Sequence, residues 1–224
     1  MSSLFENSDL TRYFSAVITP AIFETLKMVI ISGILSIFFG LIFGVILYLT
    51  EEDGLAPNKT INRVLSIMTD VVRAFPTLVL IVALTPLTRA WIGTTVGTNA
   101  AIFALTIGCT PFATRMTVNS LNTVSPQLIK SALGFGATKF QIVFRIVIIE
   151  ALPVLMANYT IMLINLLSMT TVAGAVGAGG LGAVALTYGY QRFDYGIMYF
   201  VVFILILLVL AIQGLGTLLY KHTK

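Results

Sequence analysis

The chain has 224 residues, of which 58% are hydrophobic and 10% are charged, with a mean hydropathy of +1.00. A soluble domain carries about 25% charged residues, so this composition excludes a water-soluble globule and predicts an integral membrane protein. The net charge of +4 does not indicate nucleic-acid binding, because the basic residues are scattered at the ends of apolar runs, as topology determinants are.

Five apolar stretches are long enough to cross a bilayer, which takes about 20 residues. We predict spans over roughly 22–50, 63–87, 98–118, 146–173 and 195–219, within a single transmembrane domain over 1–224. The polar and acidic segment 1–14 is not typical of a cleaved signal.

Several residues within these spans predict local features of helix packing and side-chain pairing. Gly40 and Gly44 have the spacing of a close-packing motif. Glu24 with Lys27, and Asp70 with Arg73, are three residues apart, and each is predicted to form an ion pair. Cys109 lies in an apolar run and is predicted to be a buried structural thiol. Four prolines lie in the predicted spans, and they predict local kinks that serve packing. The alternative is that these helices bend when a transport pathway opens. The prolines are Pro76, Pro86, Pro111 and Pro153.

Five spans place the two termini on opposite sides of the membrane. If the N-terminus is outside, eight basic residues lie on the inner side and three on the outer side, which favours an outer N-terminus and a cytoplasmic C-terminus. The inner residues are Lys59, Arg63, Arg115, Lys130, Lys139, Arg145, Lys221 and Lys224; the outer residues are Arg12, Arg89 and Arg192.

Motifs for catalysis or nucleotide binding are missing from the sequence. No Gly-x-x-x-x-Gly-Lys-Ser/Thr phosphate loop occurs, and the single histidine, His222, has no histidine or cysteine pair with which to hold zinc or haem. We expect no catalytic residue, no metal and no cofactor on this chain. Any energy source for uphill transport would then be on another chain.

The segment 125–153, "SPQLIKSALGFGATKFQIVFRIVIIEALP", separates two of the most apolar stretches. Ser125 and Pro126 are typical of a helix start, with the Ser125 side chain predicted to cap the first free amides. Gly134 and Gly136 are typical of a helix end. The resulting helix over about 126–136 is about 15 Å long at 1.5 Å per residue, too short to cross a membrane. Thr138 is predicted to cap a second helix that runs into the fourth span. The apolar stripe of the short helix comprises Leu128, Ile129, Ala132 and Leu133.

The periodicity of this helix leaves two partners open. The helix could lie flat on the inner leaflet, with Lys130 and Lys139 facing lipid phosphates. Alternatively, it could present its apolar stripe to a groove on a partner protein.

The same segment resembles the cytoplasmic signature of permease subunits of ATP-binding-cassette importers. That signature reads Glu-Ala-Ala, three residues, Gly, nine residues, then Ile-x-Leu-Pro. Lys130-Ser131-Ala132 stands at Glu-Ala-Ala, Gly136 at the glycine and Ile146 at the isoleucine, whereas Lys130 reverses the acidic charge and Ile149 replaces the proline. The continuation "EALP" (150–153) is similar to the methionine-uptake branch, as are "FETLKMVI" (23–30), "DVVRAFP" (70–76), "TPFATRM" (110–116) and "GAVGAGGLG" (174–182), in the same order.

The resemblance implies a type I ABC importer permease fold in a bacterial cytoplasmic membrane. Two copies of this chain would form the pathway with two ABC ATPases, which carry ATP and Mg, and with an extracytoplasmic substrate-binding protein or lipoprotein. The helix over 126–136 would be the coupling helix, and Lys130 would meet an acidic ATPase groove or solvent. The cargo would be L- or D-methionine, with another amino acid or a small peptide as the alternative. The implied ATPase-coupling residues are Lys130, Ser131, Ala132, Leu133, Gly134, Phe135, Gly136, Ala137 and Thr138.

The glycine-rich stretch "TTVAGAVGAGGLG" (170–182) follows the fourth span. Its residues fit a tight extracellular turn with close helix packing. Its position in the family, by the dimer axis, implies that Thr170, Thr171 and Val172 line a gate. A self-contained carrier or channel is the rival class. It is disfavoured because the spans show neither a buried charge network nor inverted repeats.

Overall fold

The computed structural model describes residues 14–223, and every regular element within them is helical. This confirms the predicted all-α class. Residues 1–13, which include Arg12 and nearly all of the N-terminal segment that is not typical of a cleaved signal, lie outside the described residues, as does Lys224.

Ten α-helices follow one another along the described chain. Their bounds are α1 Thr19–Thr50, α2 Lys59–Ala74, α3 Thr77–Ala83, α4 Thr85–Ile92, α5 Thr98–Leu121, α6 Pro126–Gly134, α7 Lys139–Ile142, α8 Ile148–Gly174, α9 Gly180–Val184 and α10 Tyr195–Thr223. Three π-helical segments extend them, at Phe14–Ile18, Val143–Val147 and Ala185–Gln191.

Four helical stretches of the described chain are long and apolar enough to cross a membrane. They are Ala16–Thr50, Thr98–Leu121, Lys139–Gly174 and Tyr195–Thr223. They confirm the first, third, fourth and fifth predicted spans, and the fourth begins at Lys139 rather than near Ile146. Its extra turns are α7 and the π-helical segment that joins α7 to α8.

The second predicted span, over 63–87, is not a continuous helix. The chain forms α2 and α3, which are bent by 108° relative to each other and amount to a broken span or a re-entrant loop. Pro76, at the start of α3, has φ −56° and ψ 134°. Proline lacks the N–H that a continuous helix needs, and it disfavours helical backbone at the preceding Phe75. Counting the bent pair as one span gives five.

The chain divides into two compact units. The first comprises the described residues up to Leu35, with Phe75–Cys109 and Leu163–Ile212. Its core is a cluster of buried aliphatic side chains from α1, α9 and α10 and from the π-helical segment before α1. The Cys109 thiol, which is buried as predicted, also belongs to this unit. The cluster consists of Ile18, Ala21, Leu181, Val184, Ile197, Val201 and Ile204.

The second unit comprises Ser36–Ala74, Thr110–Met162 and the described residues from Gln213 onward. Here α1 packs closely on α5, since Gly40 abuts Ala113 and Gly44 abuts Thr117. The predicted close-packing role of the two glycines is confirmed. Thr117 also shares a 2.7 Å hydrogen bond with Tyr159 of α8.

Candidate functional site

The short helix α6 begins at Pro126, where proline suits the first helical position because its missing N–H needs no partner. The predicted cap by the Ser125 side chain is wrong. The Ser125 hydroxyl donates to Gln127 Oε1 at 2.5 Å and accepts no amide of the first turn. The neighbouring glutamine therefore competes for the hydroxyl.

The end of α6 is fixed by a glycine turn. The N–H of Gly136 donates to the Leu133 carbonyl at 3.0 Å, and the N–H of Ala137 donates to the Ala132 carbonyl at 3.1 Å. Gly136 has φ +81°, a left-handed conformation that glycine adopts without steric cost. The helix itself ends at Gly134, two residues before the predicted end.

The next helix starts with a capping box at Thr138, as predicted. The N–H of Gln141 donates to Thr138 Oγ1, and the N–H of Thr138 donates to Gln141 Oε1. From Lys139 the chain is helical without a break to Gly174. Only residues 135–138 separate α6 from the long helix, and hydrogen bonds hold both ends of this joint.

Helix α6 contains no buried residue. Leu128 and Leu133 are exposed, whereas Ile129 and Ala132 are partly exposed. Beyond the end of the helix Phe135 is 91% exposed, followed by Phe140 at 71%. Phe140 packs on Phe144 with ring centroids 4.5 Å apart. Lys130 is exposed. Clustered exposed apolar side chains of this kind are available to a partner protein or to the membrane surface, and the coupling role of these residues stays a prediction.

We expect Gly136→Ala to destabilise the end of α6 by about 1 kcal/mol, because alanine is strained at positive φ. No atom lies within 4 Å of an added Cβ at Gly136 or at Gly134, so crowding does not complicate the comparison. Gly134→Ala is the matched control, and it should be neutral or slightly stabilising since Gly134 is helical. Hydrogen exchange at Gly136 and Ala137 measures the difference; equal protection in the two variants would contradict the assignment.

The predicted gate residues lie at the end of α8. Thr170 is only 1% exposed, and its hydroxyl donates to the Leu167 carbonyl at 2.7 Å. This placement argues against Thr170 as a gate-lining side chain. Thr171 and Val172 are partly exposed, and their gate role stays a prediction.

The glycine-rich loop is anchored to α1. Glu24 Oε2 accepts the N–H of Gly180 at 2.7 Å, and Thr25 Oγ1 accepts the N–H of Leu181 at 2.9 Å. These amides begin α9, whose first N–H groups have no partner within the helix. The predicted Glu24–Lys27 pair is therefore not the arrangement found, and Lys27 Nζ donates to Asn99 Oδ1 at 3.1 Å. The sequence did not reveal α9.

We expect Glu24→Ala to release the start of α9 and to lower stability by about 0.5–2 kcal/mol, as the loss of a helix cap does. Amide exchange at Gly180 and Leu181 should accelerate. The control is Glu52→Ala, which removes an exposed ion pair to Lys59 and should change stability by less than about 1 kcal/mol. Unchanged exchange at Gly180 in Glu24→Ala would show that the carboxylate does not hold the loop.

A second charged cluster ties α2 to α5. The Arg115 guanidinium donates two hydrogen bonds to the Asp70 carboxylate, from Nε to Oδ1 at 3.1 Å and from Nη2 to Oδ2 at 2.7 Å. The predicted Asp70–Arg73 pair is confirmed at the longer distance of 3.6 Å. Bidentate geometry makes the Arg115 contact the stronger of the two. Sequence reasoning missed it because the partners are 45 residues apart.

The fold and the site define a class of protein: a multi-span helical membrane permease with a short exposed helix joined rigidly to a long span. Residues 36–224 match the family described as binding-protein-dependent transport system inner membrane component, and the chain belongs to that family. It is therefore a transporter permease subunit of the bacterial inner membrane, as the sequence predicted.

Named relatives agree with this assignment. The chain is 42% identical to the probable D-methionine transport system permease protein MetI of Vibrio cholerae, over 96% of this chain and 93% of that one. It is 35% identical to the methionine import system permease protein MetP of Bacillus subtilis, over 96% and 95% of the two chains.

Solved structures show the same fold. The chain is similar to an inward-facing conformation of the MetNI methionine ABC transporter, with a TM-score of 0.92 at 35% identity over 97% of this chain and 99% of that one. An amino acid ABC transporter with histidines matches with a TM-score of 0.77 at 18% identity over 95% and 96% of the two chains, which speaks for the fold alone. The predicted type I importer fold is confirmed.

Proposed function

We propose that this chain is the permease subunit of an ATP-driven methionine importer and forms the pathway as a pair of identical copies. Two ABC ATPase subunits, which bind ATP and Mg, dock on α6 from the cytoplasm. A substrate-binding protein or lipoprotein delivers cargo on the opposite side, where the N-terminus lies.

The single observation that carries the coupling role is the exposure of α6 together with its short joint to α8. An amphipathic helix with no buried residue has an apolar face that a partner can cover. A four-residue joint that is hydrogen-bonded at both ends transmits displacement instead of absorbing it. ATPase closure would thus move α6, and with it the span that begins at Lys139.

The methionine cargo is supported by the names of the relatives. They are described as methionine or D-methionine permeases, and this chain is similar to them over almost their whole length. Another amino acid or a small peptide carried by the same machinery is the alternative.

The experiment is uptake into proteoliposomes that contain this chain with its ATPase and its binding protein. We expect ATP-dependent accumulation of L- or D-methionine that other amino acids compete for weakly. Uptake without ATP and without a second subunit would overturn the transporter class. ATP-dependent uptake of another amino acid, with no methionine uptake, would overturn the cargo alone.

A further inference from the structure

Asn165 is an exposed polar side chain in the apolar run of α8. Within residues 14–223 its amide makes no hydrogen bond, although it offers two donors and an acceptor. It lies nine residues before the end of α8 at Gly174, about 13 Å along the helix axis. Since the hydrocarbon core is about 30 Å thick, this places Asn165 near the middle of the span.

One strip of α8 is exposed and the opposite side is buried. Asn165 and Ser168 are exposed and Val172 is partly exposed, at the i, i+3 and i+7 spacing of a single helix face. The other side of the helix is packed, and its buried residues are Leu166, Leu167, Thr170 and Ala173. The Asn165 strip therefore faces away from the chain's own core.

Lipid is an unfavourable neighbour for this strip. An amide that meets only hydrocarbon loses its hydrogen bonds to water without replacement, and polar side chains in membrane helices typically face a cavity or a polar partner. The Ser168 hydroxyl donates to the Ile164 carbonyl at 3.4 Å, so its oxygen remains able to accept a hydrogen bond. The Asn165 amide and the Ser168 oxygen can therefore both hydrogen-bond to a polar group outside this chain.

An apolar cleft of about 270 Å³ adjoins the strip. Ser168 and Thr171 line one part of it, and aliphatic side chains of α10, including Val202, Ile206 and Val209, line the rest. Small-molecule pockets have volumes from about 300 Å³ and combine apolar walls with a few polar groups. The cleft is therefore of a size and chemistry suited to one amino acid with an apolar side chain.

We propose that Asn165 and Ser168 line the translocation route and hydrogen-bond the charged backbone groups of a passing amino acid, while the aliphatic cleft receives its side chain. The cargo class rests on the proposed function. Ser168 and Thr171 place hydroxyls at the edge of the aliphatic walls of the cleft, the combination that small-molecule sites use, and the test below separates a bound amino acid from contact with a second copy of the chain.

Cysteine accessibility in the complete transporter tests the placement. Asn165→Cys, made in a Cys109→Ala background and reconstituted with the ATPase, should react with a membrane-impermeant cationic methanethiosulfonate reagent. Added amino-acid cargo should slow the reaction severalfold. The control is Ile34→Cys on α1, which is 63% exposed in a purely apolar setting and should stay unreactive.

Two outcomes would overturn the placement. If the cysteine at 165 resists the reagent as the cysteine at 34 does, the strip faces lipid. If it forms a disulfide between two copies, the strip is a contact between copies. Both readouts are independent of which amino acid is transported, so a wrong cargo assignment would leave the labelling result intact.

Uptake kinetics test the hydrogen-bonding role. Asn165→Leu keeps the size of the side chain but removes its donors and acceptor, and we expect the KM for cargo to rise about tenfold, the effect of losing a hydrogen bond to a charged group. Asn165→Gln should restore part of the affinity. Co-purification with the ATPase verifies that each variant is folded, and a wild-type KM in Asn165→Leu would overturn the contact.

Discussion

Gly40→Val is expected to destabilise the protein by about 3 kcal/mol, the upper part of the range for overpacking in a core. An added Cβ would lie 2.9 Å from the Ala113 carbonyl carbon and 3.0 Å from the Thr114 nitrogen. Both atoms belong to the backbone of α5, so no side-chain rotation relieves the clash and α1 has to move away from α5. Thermal unfolding of the purified protein in detergent, with the yield of monodisperse material, measures the effect.

Gly214→Val is the matched control. Gly214 also lies within a long apolar helix, but no atom lies within 4 Å of an added Cβ there. This variant should unfold within a few degrees of the wild type, since only helix propensity changes. Similar losses in the two variants would show that valine in an apolar helix, and not contact with α5, causes the effect.

The second large effect is expected at the exposed apolar surface of α6. In the double variant Leu133→Glu and Phe135→Glu, we expect methionine uptake and binding-protein-stimulated ATP hydrolysis to fall at least about tenfold. If the ATPase docks on this surface as proposed, burying an unpaired carboxylate there costs several kcal/mol. Both side chains are exposed in this chain, at 45% and 91%, so the fold itself should be unaffected.

The control for this experiment is Gln127→Glu, which adds a negative charge to the same helix. Residue 127 lies in the first turn of α6, where negative charge is favourable, and a carboxylate can still accept the Ser125 hydroxyl. This variant should transport normally. Normal coupling in the double variant, with intact folding, would show that the ATPase does not dock on this surface.

The second span shows a limit of reasoning from composition. Apolar residues predominate between Arg63 and Leu87, so hydropathy predicts one span there. The local signal for a break was present, because proline restricts the residue before it, but prolines elsewhere in this chain, at Pro111 and Pro153, lie inside continuous helices. Whether a proline kinks or breaks a membrane helix depends on the neighbouring helices that satisfy the freed backbone groups. The sequence does not show which helices lie next to each proline.

The charged pairs show the same limit. Spacing of three residues predicted both Asp70–Arg73 and Glu24–Lys27, yet Asp70 prefers Arg115 and Glu24 prefers the amide of Gly180. In each case a partner distant in sequence offers better geometry, either a bidentate fork or a helix N-terminus. Rules based on spacing within one helix do not include partners that are distant in sequence.

By itself, the sequence determined the membrane class, the positions of four spans, the short helix between the third and fourth spans, and the close packing at Gly40 and Gly44. These features follow from hydropathy, periodicity and backbone chemistry, which act over a few neighbouring residues. Only the tertiary structure decided the 108° break at Pro76, the burial of Thr170, the anchoring of the glycine loop by Glu24 and the exposure of Asn165. Each of these depends on which distant helix lies alongside, and that is settled by packing of the whole chain.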